Sequence, residues 1–540
     1  MTLAEVLAEA LPKGYKFILH HVSTPPTKCP ALFAAPPGQS LEETYCESQF
    51  MSISIDHNGS MLQIFAIEVP IYTTRHLTTL FVSKADSTGY LHLLNLPKGT
   101  PSPLRTIATT FLQYLIRERN RKNRRLVLSL FARAQNQYLF PGSVENAQKH
   151  VLDDYGLIKW WCRVVDPMLQ THIGDEEEHN AASPQRAAGY LRVPGYDAYS
   201  TKTFFPRRPK VTDDWAVADP LRDLASSPDL PERCLIPRFP DDPKARFVET
   251  LDEEIPDPEA DESQVLSQEA VKAAHTGKWR SIGSLDQFWD AMSFRQECSS
   301  GRLVGFLWAV FTPQGFAAGT EDGDTFSKNV EGQTNGHTKP NRAGLQDVKS
   351  DSSVPILASS SNAEPPRTPP QCSSAYLEPS SPTPVKVKEM HAFEDQPEKT
   401  ESYYWPVSSR GNLLLRQKDY DRLGRMLLRL DYADEEVAAD SSRRWINGAA
   451  DLAKSGTWGR EIIGRKEIAV IKPSILDPVP GVSTLGSGLI RKKKRPAADD
   501  IRDLEDTTGV HSPSAGLVRK KSKIDGANGN SEVPAGSAKG

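Results

Sequence analysis

Residues 51–84 run MSISIDHNGSMLQIFAIEVPIYTTRHLTTLFVSK. Met51–Ile55, Met61–Tyr72 and Leu77–Lys84 are rich in Ile, Val, Phe, Tyr and Thr, residues that fit a pleated, half-buried surface. Turn or polar residues such as Asn58-Gly59 separate them, so the stretch reads as successive strands. Downstream, Pro97 to Pro103 is a loop, and Thr106 to Arg119 repeats Ile107, Phe111 and Leu115 at helical spacing. Leu126–Phe131 is a further strand and Leu157–Val165 is helical. Upstream, Thr2-Leu3-Ala4-Glu5 has the form of a capping box, and Leu3, Val6, Leu7 and Leu11 share one face of a short amphipathic helix. Strands and helices alternate around one core. The expected fold class is mixed α/β (α+β), a central mixed β-sheet surrounded by helices.

Farther along, Ser284-Leu285-Asp286-Gln287 opens a helix with Phe288 and Met292, and Leu303–Phe311 is a strand. Then the composition collapses. Residues 312–401 hold four aromatics, no Trp, and repeated Ser, Pro, Gly, Asn and Thr. Such a segment buries too little to offset its ordering entropy, and is expected to be a disordered insertion. Residues 402–472 regain order, with Tyr403-Tyr404-Trp405, a short strand at Leu413–Leu415, and helices at Asp419–Leu430 and near Glu435–Trp445. The simplest organisation is a core split between 1–311 and 402–472, the insertion lying between, and a disordered basic tail over 473–540. That tail carries Arg491-Lys492-Lys493-Lys494-Arg495-Pro496 and Arg519-Lys520-Lys521-Ser522-Lys523, which have the form of a nuclear localisation signal.

The chain has 540 residues, 38% hydrophobic and 25% charged, with a mean hydropathy of -0.48. A net charge of -4 excludes a uniformly basic nucleic-acid coat, and no sequence-specific nucleic-acid binding is expected. No apolar run reaches the length of a membrane span. Glu5 and Glu9 interrupt any apolar stretch near Met1, so no signal peptide is expected. Cysteines 29, 46, 162, 234, 298 and 372 form no CxxC pair and no Cys/His cluster, which argues against a structural zinc site or a disulfide scaffold. No metal is expected. Asp175–Glu178 and the ten acids between Asp241 and Glu262 make an acidic surface suited to a basic protein partner.

The chain contains no GxxxxGK[ST], HExxH or GxSxG. Arg186-Ala187-Ala188-Gly189-Tyr190-Leu191 is the nearest match to the acetyl-CoA loop of the commonest acetyltransferase fold, and it lacks the final small residue. Other features remain. Ala85-Asp86-Ser87 ends a strand. Ser102-Pro103-Leu104-Arg105-Thr106 opens a helix, whose free N–H groups and positive dipole end, with the Arg105 charge, suit phosphate. Phe131-Ala132-Arg133 ends a strand, with Tyr138 nearby. Lys149-His150-Val151-Leu152 precedes Trp160-Trp161, and Phe239-Pro240-Asp241-Asp242-Pro243-Lys244 places two carboxylates and a lysine in a Pro-bounded turn. Each alone is also what ordinary cores and surface turns contain.

Together, in this order and spacing, these segments resemble the fungal histone acetyltransferase family called regulator of Ty transposition (Rtt), a distant structural relative of the CREB-binding-protein acetyltransferases. Phe81-Val82-Ser83-Lys84-Ala85-Asp86 and Gln137-Tyr138-Leu139-Phe140-Pro141-Gly142-Ser143 also carry the resemblance. It covers residues 1–311 and 402–472. It implies that Ala85, Asp86 and Ser87 line the acetyl and pantetheine end of acetyl-CoA, and that Leu104, Arg105 and Thr106 take its phosphates. Phe131, Arg133 and Tyr138 would lie along the cofactor or lysine channel, while His150, Val151, Leu152 and Trp160 close over the nucleotide. Trp161 would wall the lysine tunnel. Asp241 and Asp242 would sit at that tunnel with Asp86 as catalytic carboxylates, and Lys244 would be acetylated by the enzyme itself. The implied activity is chaperone-dependent acetylation of newly synthesised histone H3 in the nucleus, in replication-coupled nucleosome assembly and the DNA damage response. The implied partners are histone H3–H4 and histone chaperones. The rival expectation is a catalytically inactive chromatin scaffold or histone-chaperone adaptor, which should have lost Asp86, Arg105, Trp161 or the Asp241-Asp242 pair. All are present.

Overall fold

The computed structural model of the chain describes residues 1–170, 185–255, 275–295, 302–313, 393 and 396–468. In chain order it begins with α1 (Leu3–Ala10), β1 (Lys16–Ser23), β2 (Thr27–Cys29), β3 (Thr44–His57), β4 (Ser60–Thr73), β5 (Leu77–Val82) and β6 (Lys84–Ser87). Next come α2 (Pro103–Glu118), β7 (Arg125–Ala132), α3 (Asp154–Gln170), β8 (Gln185–Arg192), α4 (Ala198–Lys202), α5 (Val211–Asp214), β9 (Trp215–Ala216), α6 (Leu221–Leu224) and α7 (Pro243–Asp252). The order closes with α8 (Leu285–Met292), β10 (Gly305–Pro313), β11 (Leu413–Leu414), α9 (Gln417–Leu427), α10 (Glu435–Ala453) and β12 (Arg460–Ile463). The strands form one sheet in the order β11-β1-β3-β4-β5-β7-β10-β8-β9, with β12 on β1, β2 on β3 and β6 on β4. It is mixed, because β5–β7, β1–β11 and β8–β9 run parallel and the other pairs antiparallel. This is the mixed α/β architecture expected from the strand and helix pattern.

Local chemistry explains the elements. Asn58 and Gly59 both take positive φ (53° and 79°), the two-residue turn whose twist matches a hairpin, and join β3 to β4. In α1, Thr2 N–H donates to Glu5 Oε2 at 2.7 Å and Glu5 N–H to Thr2 Oγ1 at 3.4 Å, the expected reciprocal cap. At α8 the Ser284 hydroxyl accepts from Gln287 N–H, but the Gln287 amide oxygen reaches Gly283 rather than the cap residue. The expected single strand over Leu77–Lys84 is two. Ser83 turns its N–H to the Glu68 carbonyl, so β5 pairs with Ile71–Thr73 and β6 with Phe65–Glu68. Pro70, which cannot donate to a ladder, falls at the step between them. Arg186 to Leu191 is not a loop but the body of β8, paired with β10 along its length.

Alternation along β7 and β10 splits the core by face. Leu126, Leu128, Leu130 and Leu307 join the larger cluster under α1, α2, α3, α9 and α10. Val127, Phe306, Trp308 and Val310 join a second cluster with Phe247 and Val248 of α7 and Phe288 and Trp289 of α8. Elements after residue 396 build into the same sheet: β11 and β12 share the edge of β1 opposite β3, and α10 lies on β4. The segment 312–401 overlaps this structure at both ends. β10 continues through Pro313, and Gln396 Nε2 donates to the Pro26 carbonyl at 2.8 Å while Trp405 N–H donates to the Glu398 carbonyl. The rest of that segment, the acidic run Asp175–Glu178, and the tail with its two basic clusters lie outside the described residues.

Candidate active site

β5 and β7 are parallel neighbours joined through α2, so α2 runs antiparallel to both and starts at their carboxyl ends. Loops at such an end are where open α/β sheets place ligands. Pro103 occupies the first position of α2, where its missing N–H costs nothing. The Ser102 hydroxyl does not cap the helix and no acidic side chain lies in its first turn, which keeps the positive end of the helix receptive to an anion. Leu104, Arg105 and Thr106 are half-buried in that turn. α3 also begins here. Asp154 receives the N–H of Ala134 at 3.0 Å and of Leu303 at 3.1 Å, and pairs with Arg302 at 2.9 Å, tying the loop after β7 to the start of β10.

Among the loop after β7, the start of α3 and the approach to β10 lies a cleft of about 700 Å³, lined by Arg133, Gln137, Val151, Leu152, Asp154 and Arg302 among others. Gln137 Oε1 is buried without a hydrogen-bond partner, an acceptor awaiting a donor. Val151, exposed, and Leu152, half-buried, give the cleft an apolar rim; Trp160 is half-buried on α3 and His150 is exposed.

Asp86 organises one wall. Its Oδ2 accepts the N–H groups of Tyr138 at 2.7 Å, Leu139 at 3.0 Å and Phe140 at 3.2 Å. Its Oδ1 accepts Ser87 N–H at 2.8 Å and Lys149 Nζ at 2.9 Å. Lys149 also donates to Ser143 Oγ at 2.7 Å. Every Asp86 contact is to the chain itself, so the carboxylate holds the 138–143 loop against β6. Ala85 and Ser87 flank it, half-buried. The Tyr138 hydroxyl donates to the Arg133 carbonyl at 2.5 Å, and burial pushes its pKa up to about 12, so it stays protonated at neutral pH. The loop is closed from outside by the later part of the chain: Tyr432 N–H donates to the Pro141 carbonyl, and Tyr90 Oη–H to the Tyr432 carbonyl.

The Asp241-Asp242 turn approaches the same end from the other face of the sheet. Phe239 stacks on Phe81 of β5 with centroids 4.1 Å apart and planes within 4°, and Phe131 of β7 lies against Phe81. The two aspartates separate sharply. Asp241 is exposed and holds a left-handed backbone (φ 59°). Asp242 is 0% exposed and caps α7, accepting Lys244 N–H at 2.9 Å and Lys244 Nζ at 2.5 Å. Lys244 is 1% exposed, its ammonium 4.4 Å from the centroid of Phe306 and 5.9 Å from Trp308. The buried cation is thus compensated by one carboxylate and by two ring faces.

Trp161 is buried in the α3 face of the core and meets Trp160 edge-on at 4.8 Å. The structure thus gathers Arg133, Val151 and Leu152 at one cleft, and brings Phe131 to the foot of the aspartate turn. Arg302 completes the site without having stood out in the sequence, and Lys149, Ser143 and Gln137, quoted there only as parts of longer segments, gain roles of their own. Lys149 adjoins the segment His150–Leu152, but only its pairing with a carboxylate 63 residues earlier gives it a role. Among the described residues no His, Cys, Asp and Glu side chains group as metal ligands, and no helix is long and apolar enough to cross a membrane.

The geometry has close counterparts. The model of the histone acetyltransferase KAT11-type domain matches residues 3–126 and 121–448. A histone acetyltransferase rtt109 of Aspergillus flavus is 39% identical over 558 residues, spanning 98% of this chain and 93% of that protein. The histone acetyltransferase rtt109 of Schizosaccharomyces pombe is 32% identical over 313 residues, spanning 56% of this chain and 70% of its own. The crystal structure of Rtt109 from Aspergillus fumigatus aligns with a TM-score of 0.65 at 38% identity, covering 87% of this chain and 100% of that one. The matched residues take in the helix terminus, the Asp86 wall, the aspartate turn and the returning elements, and the chain belongs to the Rtt109 family of KAT11-type histone acetyltransferases.

Proposed function

We propose that this histone acetyltransferase transfers acetyl from acetyl-CoA to lysines of newly synthesised histone H3, presented within H3–H4 by a histone chaperone, in the nucleus. Replication-coupled nucleosome assembly and the DNA damage response are the settings this reading implies. One observation carries it: an anion-receptive helix terminus and a cleft with an unpartnered acceptor lie at the carboxyl ends of β5 and β7, where the turn bearing the exposed Asp241 carboxylate is anchored by Phe239 on Phe81.

The family requires acetyl-CoA as co-substrate, and the residues present suit it. Arg105 and the first turn of α2 suit phosphates. Gln137 Oε1 suits an amide N–H, and Val151, Leu152 and Trp160 suit an adenine ring. A lysine side chain with pKa near 10.4 is almost wholly protonated at pH 7, so the enzyme must hold the amine and help shed its proton. Asp241 is the carboxylate that solvent and an incoming ammonium reach, and it is the candidate to attract the cation and accept its proton directly or through water. Asp242 fixes the turn, through its cap on α7 and its pair with Lys244. Asp86 positions the opposite wall. Trp161 supports the lysine channel from within the core. Self-acetylation of Lys244 would remove the charge facing Asp242, and because Lys244 is buried it requires the turn to open first.

The test is radiolabelled acetyl transfer to H3–H4 with and without histone chaperones, followed by mapping of the labelled lysines. Label on H3 that rises with chaperone is expected. Label on H4 alone, or indifference to chaperone, would sink the substrate assignment.

A further inference from the structure

We propose that Cys29 and Cys46 are a site of reversible oxidation, closing to an intramolecular disulfide that displaces the Asp241-Asp242 turn. The two thiols are 17 positions apart in sequence, and the sheet makes them neighbours. β2 pairs with β3 so that Thr27 faces Cys46 and Cys29 faces Thr44, which puts both cysteines on one face, diagonally across two strands. The Cys29 thiol donates to the Thr44 carbonyl at 3.6 Å and the Cys46 thiol to the Glu47 carbonyl at 3.7 Å, and the two side chains lie close enough to influence each other. Both are half-buried, so a small oxidant reaches them, and β2 is a three-residue strand that pairs with β3 alone.

The contact makes the pair unequal. Sharing a proton with Cys46 lowers the pKa of Cys29, while the same contact, followed by burial, pushes Cys46 up. Cys29 therefore supplies the thiolate, the form that reacts, and Cys46 the resolving thiol. The oxidant is a hydroperoxide. The Cys29 thiolate attacks one peroxide oxygen, the O–O bond breaks, an S–O bond forms, and the other oxygen leaves as alcohol or water after taking a proton. The Cys46 sulfur then attacks the sulfenic sulfur, an S–S bond forms, and water leaves. Two thiols and one hydroperoxide give one disulfide, one alcohol or water, and one further water, with two electrons passing from sulfur to oxygen. Cys162 and Cys234 are buried, and burial raises their pKa values, which leaves their thiols unreactive.

Two contacts carry the change to the site. Cys46 lies opposite Tyr72 in the β3–β4 register, and Tyr72 packs on Phe239 at 5.7 Å, two residues before Asp241. Three residues after Cys29, the Leu32 carbonyl accepts the N–H of Arg238 at 2.8 Å. Thiols in non-bonded contact must close to an S–S distance of about 2.05 Å, which draws β2 and the following segment toward β3 by on the order of 1 Å or more. A 1 Å misplacement of a catalytic group costs up to about 10²-fold in rate.

The experiment treats the full chain with hydrogen peroxide, alkylates remaining thiols, digests without reductant, and reads linked peptides by mass spectrometry beside acetyl transfer to H3–H4. A Cys29–Cys46 peptide is expected, with kcat about 10- to 100-fold lower and restored by dithiothreitol. Cys29→Ser and, independently, Cys46→Ala should keep the activity of the reduced protein and resist peroxide. Absence of the linked peptide, a linked peptide with unchanged kcat, or equal inhibition of both variants would each overturn the proposal. The peptide measurement on the unaltered chain stands even if a variant folds poorly.

Discussion

Asp242 and its neighbour Asp241 share a residue type and an adjacent position, yet they face opposite surroundings. Removing the charge from Asp242 strands the buried Lys244 ammonium, and breaking a buried pair in this way costs about 3–5 kcal/mol. Asp242→Asn is therefore expected to lower the unfolding free energy measured by urea titration by that much, and a second change of Lys244→Met should recover most of it. Asp241→Asn sits in solvent. Its midpoint should hold while kcat falls by roughly 10²-fold, in the range of a proton-transfer group. An Asp241→Asn enzyme with full kcat from pH 6 to 9 would remove that residue from the chemistry. At the other wall, Arg105→Ala is expected to raise the KM for acetyl-CoA about 10- to 100-fold with kcat nearly unchanged, since a charge-assisted contact to phosphate contributes roughly 1.5–3 kcal/mol. An unmoved KM would place the phosphates elsewhere.

The loop 138–143 is the element on which the site turns. It has no regular structure over Tyr138–Phe140, and its three N–H groups are all claimed by one carboxylate. Beyond them Gly142 holds φ 75°, and a Cβ there would run into the Asp431 carboxylate. Gly142→Ala thus combines a left-handed backbone with overlap, and a strained residue of this kind costs on the order of 1–3 kcal/mol. Because the loop continues directly from the cleft-lining residues Arg133–Gln137, the expected signature is a lower melting midpoint together with a weaker acetyl-CoA KM. A stable variant with normal KM would show that the 431–433 segment gives way freely. α2 adds the complementary lesson: its receptive terminus follows from Pro103 and the lack of acids in the first turn, both visible in sequence, but its aim depends on the parallel β5–β7 crossover.

Across the whole molecule, acid is a specific threat. His20 and His21 lie in β1 almost wholly buried, and burial lowers both pKa values from 6.5 to about 4. Their folded pKa lies below the unfolded one, so as pH falls through 6.5 the unfolded chain takes up protons that the folded chain refuses. Stability is full above pH 6.5 and is lost on descending toward 4. Each histidine should take about 1.5 kcal/mol from the unfolding free energy between pH 6.5 and pH 5. His21→Gln should flatten the measured slope of unfolding free energy over that range, and an unchanged slope would show the ring is charged or exposed. The long segment after β10 makes the opposite demand. Flexible loop length costs only about 0.6 kcal/mol per doubling. Replacing residues 315–392 by a short Gly/Ser linker should leave acetyl transfer intact, provided Gln396 and Glu398 are kept for their bonds to Pro26, Trp405 and Val407. Loss of activity in a folded variant would assign that segment a role in the reaction.

Short-range chemistry was legible in the residues alone. The Asn58-Gly59 hairpin, the Thr2–Glu5 cap, the helix opened by Ser102-Pro103 and the α7 turn at Asp242-Pro243 all act within a few positions, so a string of residues specifies them. Where the local signal is weak, reading failed. β8 is centred on Ala187-Ala188-Gly189 and lacks strand composition, and β1 interrupts its Phe17-Ile18-Leu19 run with the buried His20 and His21, so the pairing partners hold them in the sheet. The division of labour between Asp241 and Asp242, the claim of Lys149 on Asp86, the cleft acceptor at Gln137 and the contact of Cys29 with Cys46 belong to the tertiary structure. Each depends on which strands pair, in what register and on which face, and that is settled by burying apolar surface across the whole chain rather than by any neighbouring residue.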